Sequence, residues 1–210
     1  MTGISLKVMQ DRRRRVRVGM EVGRVAGLLA AAFADQGADY NFPGHIEVRN
    51  ASDPRSATLL EGQVVWCDFG VTVAGYHSDI SRRAVLGSAT ASQRESHGKG
   101  WRLLETLIQD LKPGRTIAEA MHAMLALRTS FHAGTDEHQR FGHGIGLSGA
   151  EPPSLAAHEL ELVEEGMVLT PEPSFTTVSG EFVHLEEMIA IGAKDALLLT
   201  GGAATLYEIG

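Results

Sequence analysis

The stretch Val64–Gly70, with the sequence VVWCDFG, contains one acidic residue within a run of apolar side chains. A run of this length, rich in β-branched and aromatic residues, predicts a largely buried strand. An unpaired carboxylate is costly to bury, so Asp68 needs a cation, several hydrogen-bond donors or a raised pKa. Its neighbour Cys67 should point to the opposite face of the strand, into the core.

A second acidic residue of the same kind, Asp79, follows eleven residues later. It lies in Tyr76–Leu86, which we interpret as a second strand after a turn at Gly70–Gly75. If the two strands are antiparallel neighbours, both carboxylates approach the same point. The structural alternative is that one carboxylate caps the turn and the other pairs with Arg82 or Arg83.

The remaining segments predict helices between two groups of strands. Residues 18–36 indicate a helix, and the turn-forming residues of Asn41–Arg55 predict a loop. Two further helices are separated by Pro113-Gly114, and Thr116 with Glu119 forms the capping box of the second one. Later strands are predicted at Met167–Thr170, Phe175–Val178 and Phe182–Ile191. Strands first, helices in the middle and strands last indicate an α+β fold.

Composition excludes several classes of protein. At 210 residues the chain is long enough for one domain of ordinary size. The net charge of −7 argues against a nucleic-acid partner, although Arg12–Arg15 is a local basic run. A single cysteine cannot form an internal disulfide, and no apolar run approaches the roughly 20 residues needed to cross a bilayer. We therefore expect a cytoplasmic protein with no membrane partner.

Three further residues complete a candidate metal site. His143 lies between glycines in Phe141–Leu147, Glu172 lies between two prolines, and Glu186 follows an apolar segment. Together with the two aspartates they form an oxygen-rich set with one imidazole, which suits one or two divalent ions such as Mn, Co, Fe or Zn. Two ions could lower the pKa of a bridging water and present hydroxide to an electrophile.

The combined motifs resemble the peptidase M24 family, which includes methionine aminopeptidase, aminopeptidase P, prolidase and creatinase. The segments that carry the resemblance are Asp68-Phe69-Gly70, Gly75–Arg82, Gly142–Leu147 and Glu172-Pro173, and the similarity covers roughly Gly19–Ile191. The resemblance implies the α+β pita-bread fold, a curved and mainly antiparallel sheet covered by helices. It also implies two divalent metal ions.

The order Asp, Asp, His, Glu, Glu is the family's order of metal ligands. Carried over, it implies that Asp68 and Asp79 bind one metal and that Asp79 bridges to the second. His143 and Glu172 would bind the second metal, and Glu186 would bridge. Glu172 would also shuttle the proton of the attacking water, as is proposed for the hydrolytic members.

The sequence departs from the family at the histidines that do not bind metal. Their positions fall on Ala51, Gln139 and Ala150, and alanine has no donor with which to orient substrate or stabilise the tetrahedral intermediate. His45, His138 and His158 lie nearby in sequence and could substitute in space. Glu151 matches the glutamate of the family's His-Glu-x-Pro motif. We therefore expect His45, His138 and Glu151 to contact substrate.

These observations predict a metal-dependent hydrolase that cleaves a peptide or small amide bond with a metal-bridging hydroxide. Residues 1–18 form a segment of uncertain structure, and residues 19–210 form the catalytic domain without the separate N-terminal domain of some relatives. A homodimer is a further expectation. The missing histidines leave two alternatives open: the same metal site with lyase-type chemistry, or a catalytically inactive binding protein.

Overall fold

The computed structural model describes residues 2–12, 15–41, 45–48, 57–131 and 140–210. The helices in these ranges are α1 (Thr2–Arg12), α2 (Val22–Asp35), α3 (Ala91–Asp110) and α4 (Ile117–Ser130). The strands are β1 (Tyr40–Asn41), β2 (His45–Val48), β3 (Val64–Phe69), β4 (Val71–Val73), β5 (Tyr76–His77), β6 (Ile80–Leu86), β7 (Gly142–Gly144), β8 (Glu151–Ser154), β9 (Val168–Pro171), β10 (Ser174–Thr176), β11 (Phe182–His184), β12 (Ile189–Ile191), β13 (Ala196–Leu198) and β14 (Tyr207–Ile209).

Two larger sheets carry the architecture. One has four strands in the order β14-β6-β3-β2, and the other has five in the order β13-β12-β9-β7-β8. The β6–β14 pair is parallel, whereas the other ladders of these two sheets are antiparallel. A bridge between Ser81 and Glu186 joins the end of β6 to the segment between β11 and β12. The expectation of an α+β fold is confirmed.

Strand β3 has the side-chain alternation of a strand with two different faces. Val65, Cys67 and Phe69 are buried in the apolar core, while Asp68 on the other face is half-buried. Asp68 lies opposite Ser81 in the antiparallel ladder with β6. Cys67 lies in the core, as predicted. Its burial, and to a smaller extent the charge of Asp68, raises the pKa of its thiol to about 12.

The predicted strand over Tyr76–Leu86 is wrong in its continuity. The chain forms β5 and β6 with a break at Ser78-Asp79, and the predicted turn at Gly70–Gly75 contains β4. A Cβ on Gly70 would lie 1.8 Å from the Ser78 carbonyl oxygen, so this crossing of two backbones needs glycine. Because of the break, Asp79 lies outside the β3–β6 ladder. Phe182–Ile191 is likewise divided into β11 and β12.

The predicted loop Asn41–Arg55 is also wrong in part. His45–Val48 forms β2, which pairs with β3 and places His45 opposite Asp68. Pairing with a core strand overrides the turn-forming composition around it. Residues 42–44 and 49–56 lie outside the described part of the chain.

The helices agree with their sequence patterns. Helix α2 lies within the predicted span, and Thr116 caps the N-terminus of α4 through the predicted capping box with Glu119. Met121 and Met124 are fully buried core residues of α4. The N-terminal segment forms α1, where Val8 is buried and the Ser5 hydroxyl lies 3.2 Å from that of Ser78. No helix in the described part of the chain is both long and apolar enough to span a membrane.

Candidate metal centre

The breaks and ends of the strands bring the predicted ligands together. Asp68 lies on β3, Asp79 between β5 and β6, His143 on β7, Glu172 directly after β9, and Glu186 between β11 and β12. Three of them form the tightest group, because ligand atoms of Asp79, His143 and Glu186 lie within 4.8 Å of one another. The group therefore combines one residue of β7 with two residues from the connections that precede β6 and β12.

The His143 ring is oriented by its neighbours. Its Nδ1 lies 2.9 Å from the Gly144 carbonyl oxygen and 3.2 Å from the Thr170 hydroxyl. Donation from Nδ1 to the carbonyl would fix the tautomer and place the lone pair on Nε2, as is usual for histidines that bind metals. The Thr170 hydroxyl also lies 3.3 Å from Nε2. The ring is buried, so its orientation is also held by packing.

Glu172 lies between two imidazoles and an arginine. Its Oε1 is 3.7 Å from His143 Nε2 and 3.8 Å from Arg140 Nη2, and its Oε2 is 3.3 Å from His184 Nε2. The Arg140 side chain is 48% exposed, whereas that of Glu172 is 16% exposed. Arg140 therefore marks the open side of the site.

The four carboxylates repel one another. Burial is the main reason why the pKa of Asp79 is raised to about 9. The charge and hydrogen bond of Asp68 and the charge of Glu172 raise it further, whereas a hydrogen bond from the Ile80 backbone lowers it. Burial also raises the pKa of Glu186, as do the charges of Asp79, Asp68 and Glu172, against Arg82. Without a cation the cluster favours its protonated forms.

The donor set fits divalent metal ions. Both Glu186 carboxylate oxygens are buried, and within the described ranges neither has a hydrogen-bond partner. A buried carboxylate without donors is strongly disfavoured, whereas a hard cation accepts such oxygens as ligands. One imidazole among several carboxylates is a donor set that divalent metal ions accept.

The structural alternative for the aspartates needs arginines that are engaged with other carboxylates. Arg82 Nη2 donates to Glu187 Oε2 at 2.8 Å, and Arg83 pairs with Glu181. Glu187 is further satisfied by the Ala203 backbone N–H at 2.8 Å. Arg82 and Arg83 are therefore each engaged with a carboxylate other than those of Asp68 and Asp79.

The residues that we predict to contact substrate are fixed by the structure in less detail than the predicted metal ligands. His45 lies across the β2–β3 ladder from Asp68. His138, Gln139 and Ala51 lie outside the described residues. Glu151 Oε2 accepts a hydrogen bond from the Ser148 backbone N–H at 3.1 Å, so its carboxylate stabilises the loop that precedes β8. His158 and Ala150 are exposed.

Two residues of the site, His184 and Arg140, were missed by the sequence reasoning. A signal for His184 exists: side chains alternate along a strand, so His184 and Glu186 lie two residues apart on one side of the chain. For Arg140 the sequence offers only its position three residues before His143.

Antiparallel sheets, covering helices and a buried carboxylate–histidine cluster define a pita-bread protein with a candidate metal centre. The chain belongs to metallopeptidase family M24, whose model matches residues 2–193. The X-Pro aminopeptidase of Thermotoga maritima superposes with a TM-score of 0.91 at 21% identity, covering 99% of this chain and 60% of that one. Prolidase from Pyrococcus furiosus superposes with a TM-score of 0.87 at 25% identity, covering 96% and 61%. The predicted family and fold are confirmed.

Sequence relatives lead to the same family. A Xaa-Pro dipeptidase of Pyrococcus furiosus is 30% identical over 150 residues, which are 71% of this chain and 42% of that protein. A putative dipeptidase of Bacillus subtilis is 30% identical over 148 residues, 70% of this chain and 41% of that protein. The chain therefore spans about two fifths of the length of these curated relatives.

Proposed function

We propose that this chain is a metal-dependent peptidase domain that cleaves short peptides, with Xaa-Pro dipeptides as the first substrates to test. The observation that carries the proposal is the group of Asp79, His143 and Glu186, whose ligand atoms lie within 4.8 Å of one another, in a chain of the M24 family. The substrate class is supported by relatives that are named Xaa-Pro dipeptidases.

The proposed ligands are those that the sequence predicts: Asp68, Asp79, His143, Glu172 and Glu186. They would hold two divalent ions, of which Mn, Co, Fe and Zn suit the donor set. When bound, such ions supply Lewis acidity and an activated water at neutral pH.

Glu172 is the proposed acid–base residue. It is close to His143 yet retains some exposure, so a peptide and its attacking water can reach it. Its carboxylate would accept the proton of the water and then donate it to the amine that leaves, which is general base and general acid action by one group. His45, His138 and Glu151 remain proposed substrate contacts.

The experiment is a substrate panel on the chain loaded with Mn²⁺. Release of proline from Xaa-Pro dipeptides is measured by mass spectrometry, beside peptides that begin with methionine, and a chelator and the variant Asp79→Asn serve as controls. We expect hydrolysis that both controls abolish. Turnover of non-peptide carboxylates alone would support lyase-type chemistry, and a retained metal without any turnover would support the binding-protein alternative.

We further propose a cytoplasmic location and a homodimer. The buried single thiol of Cys67 agrees with a reducing compartment. Light scattering coupled to size-exclusion chromatography measures the mass directly, and a monomer at working concentrations would contradict the dimer.

A further inference from the structure

We propose that His184 is a positioning residue for Glu172, holding carboxylate oxygen Oε2 so that Oε1 faces His143 and the metal ligands. The inference rests on the proposed function, because Glu172 needs a fixed orientation only if it serves the metal centre. His184 would thereby supply a histidine to the site in a chain where we expect Ala51, Gln139 and Ala150 at the family's histidine positions.

The two oxygens of Glu172 have different surroundings. Oε2 is 3.3 Å from His184 Nε2, while Oε1 is 3.7 Å from His143 Nε2. One carboxylate thus connects an imidazole inside the ligand group to an imidazole outside it. A donor on one oxygen fixes the rotation of the carboxylate and directs the other oxygen, as partners of metal ligands commonly do.

The His184 ring is held by two aromatic neighbours. Its centroid is 5.0 Å from that of Trp66 at an interplanar angle of 33°, and 6.0 Å from that of Phe182 at 77°. The Trp66 indole N–H donates to the Ser81 hydroxyl, which fixes the indole against β6. Aromatic contacts of this kind restrict the ring, so Nε2 stays close to Glu172.

Burial makes the unused donor costly unless it serves Glu172. His184 is 7% exposed, and among the residues that the structure describes its Nε2 has no hydrogen-bond partner. Glu172 Oε2 lies 3.3 Å from this nitrogen, within ion-pair distance. A hydrogen bond to a carboxylate is stronger than one between neutral groups, so Glu172 is the acceptor that this buried nitrogen would use.

His184 contacts a proposed metal ligand but does not belong to the ligand group itself. The ligand atoms within 4.8 Å of one another belong to Asp79, His143 and Glu186, and His184 meets this group through Glu172. We therefore assign it to orientation of a ligand and not to the ligand set itself.

The test compares His184→Leu, which removes the donor at similar volume, with His184→Gln, whose amide nitrogen occupies nearly the place of Nε2. Mn²⁺ affinity is measured by calorimetry, and the visible spectrum of the Co²⁺-loaded protein reports ligand geometry. We expect His184→Leu to weaken binding of one ion about 10–100-fold and to shift the Co²⁺ spectrum. His184→Gln should restore most of the affinity and the spectrum.

Controls separate this outcome from a folding defect. His122→Leu makes the same exchange on the exposed face of α4 and should bind Mn²⁺ like the unaltered chain. If His184→Leu does not fold, His184→Asn replaces it, because its amide is too short to reach Glu172, and the Gln–Asn difference then carries the test. Circular dichroism confirms folding in each case.

Kinetics give a second readout. A positioning residue should lower kcat with little change in KM, whereas a rise in KM at unchanged kcat would make His184 a substrate contact and overturn the inference. Equal Mn²⁺ affinity in His184→Leu and the unaltered chain would also overturn it. Failure of the unaltered chain to bind Mn²⁺ would instead overturn the proposed function, and this inference with it.

Discussion

Glu186 and Glu187 are adjacent, equally buried glutamates with opposite surroundings. Glu187 receives the Arg82 guanidinium at 2.8 Å, the Ala203 N–H at 2.8 Å and the Thr200 hydroxyl at 2.5 Å. In the described ranges neither oxygen of Glu186 has a hydrogen-bond partner, and the charges of three other carboxylates act on it against that of Arg82. Burial therefore does not distinguish a structural glutamate from a functional one, whereas the supply of donors does.

The strongest test of this difference is to neutralise Glu187, the glutamate that accepts hydrogen bonds. Glu187→Gln leaves Arg82 buried without its counter-charge, and removing one partner of a buried pair destabilises a protein by about 3–5 kcal/mol. We expect a loss of this size in urea unfolding of the metal-free chain. Glu186→Gln should instead leave the metal-free chain as stable or make it more stable, because it removes repulsion.

Exposed Glu164→Gln is the control for the glutamate-to-glutamine exchange itself. It should change stability by less than about 0.5 kcal/mol. Equal destabilisation by Glu186→Gln and Glu187→Gln would contradict the division into one satisfied and one cation-requiring carboxylate.

Adding metal should act on Glu186 and not on Glu187. Free Mn²⁺ at about 100 times its dissociation constant stabilises a folded chain that binds one ion by about 2.7 kcal/mol. We expect a rise of this order in the free energy of unfolding, reversed by a chelator and absent in Glu186→Gln. An equal rise in Glu186→Gln would show that the ion binds elsewhere.

The contrast also predicts a pH dependence for the metal-free chain. The folded-state pKa of Asp79, raised to about 9 from 3.8 chiefly by burial, means that the folded state binds more protons than the unfolded state between these values. The contribution of Asp79 to the free energy of unfolding is therefore fully present below about pH 4 and is lost as the pH rises towards about 9. One proton corresponds to about 1.4 kcal/mol per pH unit.

Urea unfolding of the chelator-treated protein at several pH values between 5 and 8 measures this slope. Asp79→Asn should flatten it, because the amide does not titrate. A metal-free chain whose stability rises through this range would show that the cluster is compensated in some other way.

The sequence predicted the carboxylates and the histidine because acidic residues in apolar strands are conspicuous. It could not distinguish Glu186 from Glu187, since the partners of Glu187 lie on β6 and beyond β13 and are brought to it only by the fold. The β4–β5 hairpin was missed for a related reason: Ala74 (φ 52) and Gly75 (φ 83) form a tight turn in a segment that looks like one long turn. His184 was passed over because its neighbours Trp66 and Glu172 are distant in sequence.

The smallest effect should come from the aromatic residues that hold His184. Phe182 packs edge-on against Trp66, with ring centroids 5.7 Å apart and an interplanar angle of 83°. Away from the metal centre, Phe131 packs against Phe175 with ring centroids 5.8 Å apart. Loss of one such aromatic contact costs about 0.5–1.5 kcal/mol, so Phe182→Leu and Phe131→Leu should lower stability similarly. Only Phe182→Leu should also weaken Mn²⁺ binding, because it frees the ring that orients Glu172. Mn²⁺ titration of both variants checks this difference, and equal affinities would mean that the imidazole keeps its orientation without Phe182.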